Sequence, residues 1–211
     1  MTSDPLFIKV CGITRLTDAL HAVEQGATAL GFIFWPRSPR NVSPQRAAEI
    51  IAELPSSITT VGVFVNEPID AIRAMAAQTR ITAVQLHGDE PPAYAAALAW
   101  PLIRAVALDE VEAACDAWSA PTALLLDTID PVRRGGTGVP VDWGRAAGVA
   151  RRRRLVLAGG LTPENVADAI RAVRPYGVDV SSGVESAPGV KDFEKVSRFV
   201  ANAHRAFEEW Q

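Results

Sequence analysis

The sequence predicts a single (β/α)8 barrel over residues 1–211, and three observations point to it. Short apolar or β-branched runs recur eight times along the chain. Most are apolar on both faces, as parallel strands are when helices cover them outside and side chains pack inside. Amphipathic helical patterns separate them from one end to the other. Eight units in 211 residues need about 26 residues each, near the small end for this architecture. A doubly wound open sheet competes, but it would bring fewer strands and a nucleotide-type glycine motif after the first, and Gly12 alone is not that motif. No Ser- or Gly-rich linker divides the chain, and its halves show no repeat.

The expected strands are Phe7–Cys11, Ala29–Phe34, Thr60–Val65, Ala83–His87, Leu102–Ala107, Ala123–Asp127, Leu155–Ala158 and Gly177–Val180. After the first, Leu16, Ala19, Leu20 and Val23 repeat at helical spacing, and Gly26 is placed to end the helix. After the second, Ser43 caps and Pro44 opens a helix carrying Ala47, Ile50, Ile51 and Leu54. The helices after strands four, five and six are less distinct, being rich in alanine and short of strong periodicity. Behind Thr162 and Pro163, Val166, Ala169, Ile170 and Val173 mark the seventh helix. Asp192 caps the last, with Phe193, Val196, Val200, Ala203 and Phe207 along it.

Composition narrows the function. With 21 Lys plus Arg against 24 Asp plus Glu, the net charge is −3, which gives no support to a nucleic-acid partner. An apolar content of 48% excludes a disordered chain. The longest nearly apolar stretch, Ala93 to Ile103, is too short to span a bilayer. Met1–Pro5 has no signal-peptide pattern, and two cysteines, Cys11 and Cys115, make no disulfide framework. A cytoplasmic protein is expected, with no membrane association. Monomer and homodimer are not distinguished.

In a barrel, side chains at the C-terminal strand ends and the loops beyond them face the active site. Those positions hold Cys11, Arg40, Asn66, His87, Asp127, Gly159-Gly160 and Ser182-Gly183. Glycines after strands seven and eight let backbone N–H groups approach a phosphate, at the usual phosphate site of this architecture. Each pair alone would equally make a tight turn; together they favour phosphate. Cys11 is either a small buried hydrophobe or a nucleophile or base with a suitably lowered pKa. Cys115 has no comparable setting and is assigned to packing. Asp127 is a structural anchor or an acid/base group, and facing Cys11 across the mouth it would divide acid and base duties with it. His87 orients substrate or bonds a loop. No cluster has metal-ligand spacing, so no metal is expected. Arg40 suits a carboxylate or phosphate, whereas Arg37 reads as a solvated loop residue. The run Arg151–Arg154 reads as a helix C-terminus on the stability face of the barrel.

Several stretches, in order, resemble the phosphoribosylanthranilate isomerase family over nearly the whole chain. They are Lys9-Val10-Cys11-Gly12-Ile13-Thr14, Gly31-Phe32-Ile33-Phe34 with Ser38-Pro39-Arg40, Gly62-Val63-Phe64-Val65-Asn66, Gln85-Leu86-His87-Gly88 and Leu125-Leu126-Asp127-Thr128. They continue through Gly135-Gly136-Thr137-Gly138, Asp142-Trp143, Leu157-Ala158-Gly159-Gly160-Leu161, Asp179-Val180-Ser181-Ser182-Gly183-Val184-Glu185 and Pro188-Gly189-Val190-Lys191-Asp192. Trp35-Pro36-Arg37 is the one departure, and it touches packing at the substrate end.

The resemblance implies an Amadori rearrangement of N-(5'-phosphoribosyl)anthranilate, with Cys11 as general base, Asp127 as general acid and no cofactor. It further implies that Arg40 meets the anthranilate carboxylate and that Gly159, Gly160, Ser182 and Gly183 hold the phosphate. Asp179 and His87 are supporting contacts, and Gly135–Gly138 is a candidate lid. The acid must arrive protonated, which asks for burial or nearby negative charge around Asp127. Two other readings stand beside this one. The histidine-pathway barrel that performs the same rearrangement resembles a duplicated half-barrel with aspartates in both roles and two phosphate sites. A phosphate-binding barrel without catalysis would need neither Cys11 nor Asp127.

Overall fold

The computed structural model describes residues 6–127 and 142–209. Eight parallel strands close on themselves in sequence order: β1 (Phe7–Cys11), β2 (Ala29–Ile33), β3 (Thr59–Phe64), β4 (Ala83–Leu86), β5 (Leu102–Val106), β6 (Ala123–Leu126), β7 (Leu155–Leu157) and β8 (Gly177–Val180), with β8 pairing back onto β1. A helix follows each strand: α1 (Leu16–Glu24), α2 (Pro44–Ala52), α3 (Ile69–Thr79), α4 (Ala93–Ala97), α5 (Val111–Ala117), α6 (Trp143–Ala150), α7 (Val166–Val173) and α8 (Phe193–Glu208). Before α8 the chain adds an antiparallel hairpin of β9 (Glu185–Ala187) and β10 (Val190–Lys191). The expected (β/α)8 architecture is the one found. The candidate lid at Gly135–Gly138 lies outside the described residues.

Local chemistry accounts for the element ends. Ser43 Oγ accepts the Arg46 N–H and Pro44 stands at the first helical position of α2, a stabilising start because proline lacks the N–H that would be orphaned there. Asp192 caps α8 through the Lys195 N–H, and Asp142 caps α6 through Gly144 and Arg145. Gly26, just past α1, has φ +100, a left-handed conformation open to glycine at little cost. The seventh helix starts later than expected, at Val166. Thr162 Oγ1 receives the Glu164 N–H and its carbonyl the Val166 N–H, so residues 162–165 form a separate capping turn.

Two apolar layers result. Outside the strands, the i, i+3, i+4 faces of the helices bury Val166, Ala169, Ile170 and Val173 on α7, and Val196, Phe199, Val200, Ala203 and Phe207 on α8. Inside, Val61, Ala83, Ile103, Ala105, Leu125, Val156 and Ala158 form a compact plug, with Phe7 and Tyr176 packed against it. Strand side chains alternate between these layers. Phe7, Lys9 and Cys11 therefore share the inner face, as do Leu125 and Asp127. The alanine-rich α4 buries none of its residues, which is why it left so faint a pattern in the sequence.

Candidate active site

At the C-terminal end of the barrel, inner-face polar side chains rise above the apolar plug. Most strands stop one residue short of expectation, so His87, Asp127 and Ala158 lie just beyond β4, β6 and β7. Cys11 is the last residue of β1, and Asp127 stands past β6, three strands away around the ring. Both are buried. His87 Nε2 is 3.8 Å from Asp127 Oδ2, and His87 Nδ1 is 3.0 Å from Gln85 Nε2. With the amide donating, Nδ1 is the acceptor and Nε2 carries the proton that faces Asp127; the tautomer follows from that hydrogen bond.

Of the charges around Cys11, the sequence pointed only to Asp179. The fully buried Lys9 ammonium lies 2.9 Å from Asp179 Oδ1 on β8, its partner in register. Burial alone would lower the lysine's pKa, yet the carboxylate and the nearby Cys11 sulfur outweigh it and hold it above the ordinary value. Burial pushes the Cys11 thiol up, Lys9 and more weakly Lys191 oppose that rise, Asp179 adds to it, and the net direction is upward. Lys191 Nζ, equally buried, donates to the Cys11 carbonyl at 2.6 Å and to Glu185 Oε1 at 2.9 Å, so the hairpin braces the end of β1.

Arg40 is part of the same network. Its Nε and Nη2 grip Glu185 in a fork, at 2.9 Å to Oε1 and 2.7 Å to Oε2. Burial would raise the Glu185 carboxyl, but Arg40 and Lys191 hold it below the usual glutamate range. The fork uses one edge of the guanidinium and leaves the Nη1–Nη2 edge to meet a second carboxylate. Gly12 carries this arginine close: a Cβ there would lie 2.7 Å from Arg40 Cδ. Arg37 is exposed, as expected of a solvated loop residue.

The two glycine-bearing loops pack together. Gly159 and Gly160 have φ +76 and +68, a left-handed pair that turns successive N–H groups to one side. Asn165 fixes this loop from below, donating Nδ2 to the Gly160 carbonyl and accepting the Thr162 N–H. Ser182 and Gly183 belong to a short 3-10 turn after β8, and a Cβ on Gly183 would fall 1.9 Å from the Leu161 carbonyl oxygen. Only glycine permits this approach. The two glycine-bearing loops therefore meet directly beyond β7 and β8, where backbone N–H groups are chemically suited to an anion.

Asn66, at φ +54, bonds the loop beyond β4, and its N–H is received by Glu90 Oε1 at 2.7 Å. Glu90 Oε2 also accepts from Gly88 N and from Arg104 Nη1 at 2.6 Å. This buried carboxylate fastens three parts of the rim, which assigns Asn66 to loop structure. The Arg151–Arg154 run follows α6: Arg151 is its C-cap, Arg152 pairs with Glu112, and Arg153 donates to the carbonyls of Cys115, Ser119 and Thr122. Arg154 lies 5.1 Å above the Tyr176 ring. Cys115 is partly buried and packs against the outer core.

The residues missed by sequence reasoning are Lys9, Lys191, Glu185 and Glu90. Lys9 had one available signal, a charged residue in the middle of a strand otherwise apolar on both faces. Among the described residues no group of three or more His, Cys, Asp or Glu side chains is arranged to hold a metal ion, and no helix is long and apolar enough to cross a membrane.

Comparison with known proteins places the whole barrel in one family. Residues 8–202 match the family model described as N-(5'phosphoribosyl)anthranilate (PRA) isomerase. An N-(5'-phosphoribosyl)anthranilate isomerase of Pelobacter propionicus is 49% identical over 195 residues, 92% of this chain and 93% of that protein. One of Geobacter metallireducens is 49% identical over 197 residues, covering 93% and 98%. Among solved structures, the phosphoribosyl anthranilate isomerase of Thermotoga maritima superposes with a TM-score of 0.88 at 43% identity, covering 95% of this chain and all of that one. A phosphoribosyl anthranilate isomerase in complex with reduced 1-(o-carboxyphenylamino)-1-deoxyribulose 5-phosphate superposes at 0.85 with 42% identity, over 95% of this chain and 100% of that one.

Proposed function

The chain belongs to the N-(5'-phosphoribosyl)anthranilate isomerase family and converts N-(5'-phosphoribosyl)anthranilate to 1-(2-carboxyphenylamino)-1-deoxyribulose 5-phosphate in tryptophan biosynthesis, and on that premise we propose that Cys11 is its general base and Asp127 its general acid. The observation that carries this is the strand alternation that turns both side chains inward at one end of the closed barrel. No other thiol stands there, since Cys115 packs on the outer layer.

Asp127 gives its proton to the ribose ring oxygen as the anilino nitrogen pushes electrons toward C1, and the C1–O bond breaks to an iminium. That iminium acidifies the proton on C2. Cys11, as thiolate, takes it: an S–H bond forms, the C2–H electrons become the C1–C2 double bond, and the nitrogen lone pair is restored. Ketonisation of the enolamine yields the product. The iminium is itself the electron sink, so the sequence of steps needs no further electrophile.

Binding at the unreacting ends holds the sugar over this pair. The free edge of Arg40 meets the anthranilate carboxylate, and the Gly159, Gly160, Ser182 and Gly183 backbones receive the phosphate. His87 supports Asp127 from the side, and Asp179 borders the same space while engaging Lys9. A single catalytic domain and a soluble cytoplasmic setting agree with the composition.

Disappearance of freshly generated substrate, followed in metal chelator with the wild type, Cys11→Ala and Asp127→Asn, tests the assignment. Each variant is expected to lose about a hundredfold to ten-thousandfold in kcat, with KM changed far less because both groups act on transition states. Near-normal turnover by either variant removes that residue from its role.

A further inference from the structure

We propose that Lys9 is a positioning residue for the reaction: its ammonium, tethered by Asp179, is held beneath the Cys11 sulfur and favours the thiolate that removes the C2 proton. The inference rests on Cys11 being the base. Three features of the barrel converge on it. Lys9 and Cys11 are two residues apart on one strand, so both point inward. Barrel closure sets Asp179 of β8 directly beside Lys9, 2.9 Å from its Nζ. On the other side Cys11 pairs with Gly31, and there the missing side chain matters. A Cβ on Gly31 would lie 2.6 Å from Cys11 Sγ and 3.1 Å from Lys9 Cε. The space that glycine leaves is where the lysine stem rises alongside the sulfur.

The charges then add up in both states of the base. A buried ammonium with no partner would give up its proton rather than stay charged. Asp179 keeps it an ammonium when Cys11 is a neutral thiol. When Cys11 is a thiolate, the same ammonium faces two anions, and the cluster carries one net negative charge instead of two. After proton transfer from C2 the sulfur is neutral again and the Lys9–Asp179 pair remains. Lys9 neither gains nor loses a proton, so it acts only through the sulfur. Burial raises the thiol and Lys9 is the foremost group opposing it.

The test is the ionisation of Cys11, read without turnover. In a Cys115→Ala background, the rate of iodoacetamide alkylation against pH reports the Cys11 thiolate alone. Lys9→Met, similar in length but uncharged, is expected to move that titration upward by about one to two pH units. Its kcat/KM should fall by roughly tenfold to a hundredfold at neutral pH and recover toward alkaline pH, with Lys9→Arg closer to wild type. Lys9→Met leaves Asp179 buried and unpaired, which endangers folding. Lys9→Met/Asp179→Asn removes both charges together and is compared with the wild type; because Lys9 outweighs Asp179 at the sulfur, the double variant should titrate higher. Coincident alkylation profiles, in either comparison, overturn the inference. If instead the thiol titration shifts while Cys11→Ala keeps its activity, the placement of Lys9 stands and the role of Cys11 as base is what fails.

Discussion

Gly183→Ala tests whether the two loops beyond β7 and β8 act as one phosphate cradle. The new Cβ would sit 1.9 Å from the Leu161 carbonyl oxygen and 3.3 Å from Thr162 Cα, whereas ordinary contact begins at 3.4 Å. Both neighbours are backbone, so no side chain can swing away, and the loops must part by about 1.5 Å. A phosphate hydrogen bond near 2.9 Å would then stretch to roughly 4.4 Å, beyond any useful length. One lost charge-assisted bond costs about 1.5–3 kcal/mol, or roughly a tenfold to hundredfold rise in KM. The overpacking itself costs about 1–3 kcal/mol of stability. Gly177→Ala is the control, because its Cβ would meet the Phe7 carbonyl 2.4 Å away, at the opposite end of the barrel. Steady-state kinetics and urea unfolding on both variants separate the effects. Both should lose stability, and only Gly183→Ala should raise KM. A normal KM for Gly183→Ala, or an equal rise in both, would refute the cradle.

Arg40→Ala should raise KM by about tenfold to a hundredfold with a smaller change in kcat, while competitive inhibition by ribose 5-phosphate stays near wild type; weakening of that inhibitor would place Arg40 on the phosphate instead. Glu185→Gln should flatten the acid limb of the stability curve. The folded carboxyl titrates below its ordinary value, so its contribution is complete above about pH 5 and fades as pH falls through the folded value. The variant also strands Lys191 in the interior, at a cost of about 3 kcal/mol at neutral pH, and urea unfolding from pH 7 to pH 3 should show both effects.

The repeating architecture was legible because strands apolar on both faces and helices with one apolar stripe obey different periods, and Ser43 and Asp192 cap as their side chains dictate. The positions of Cys11, His87 and Asp127 at strand ends were legible for a related reason, since barrel geometry fixes which residue meets the mouth. What stayed hidden was pairing. A charge within an apolar strand marks Lys9 as unusual, but nothing local names its partner, because Asp179 stands 170 positions away and becomes its neighbour only when β8 closes on β1. Lys191 and Glu185 resemble any charged hairpin until one finds them under the Cys11 carbonyl and the Arg40 fork. The fork itself changes how Arg40 is understood. The sequence shows a free loop arginine, whereas the folded chain presents one edge of a guanidinium already oriented by an internal carboxylate.

The closure of β8 on β1 also bears on how the protein is made. The first strand emerges from the ribosome long before its neighbour exists. At about 5–20 residues per second, some 10–30 s of synthesis separate Lys9 from Asp179. Throughout that interval the nascent chain carries an open sheet edge and a lysine and a cysteine without their eventual surroundings. Such an edge is a template for wrong pairings, and contacts this distant in sequence form slowly. Ribosome-bound chains ending before residue 177 should therefore be protease-sensitive at β1, and protection should appear only once the hairpin carrying Lys191 has cleared the exit tunnel.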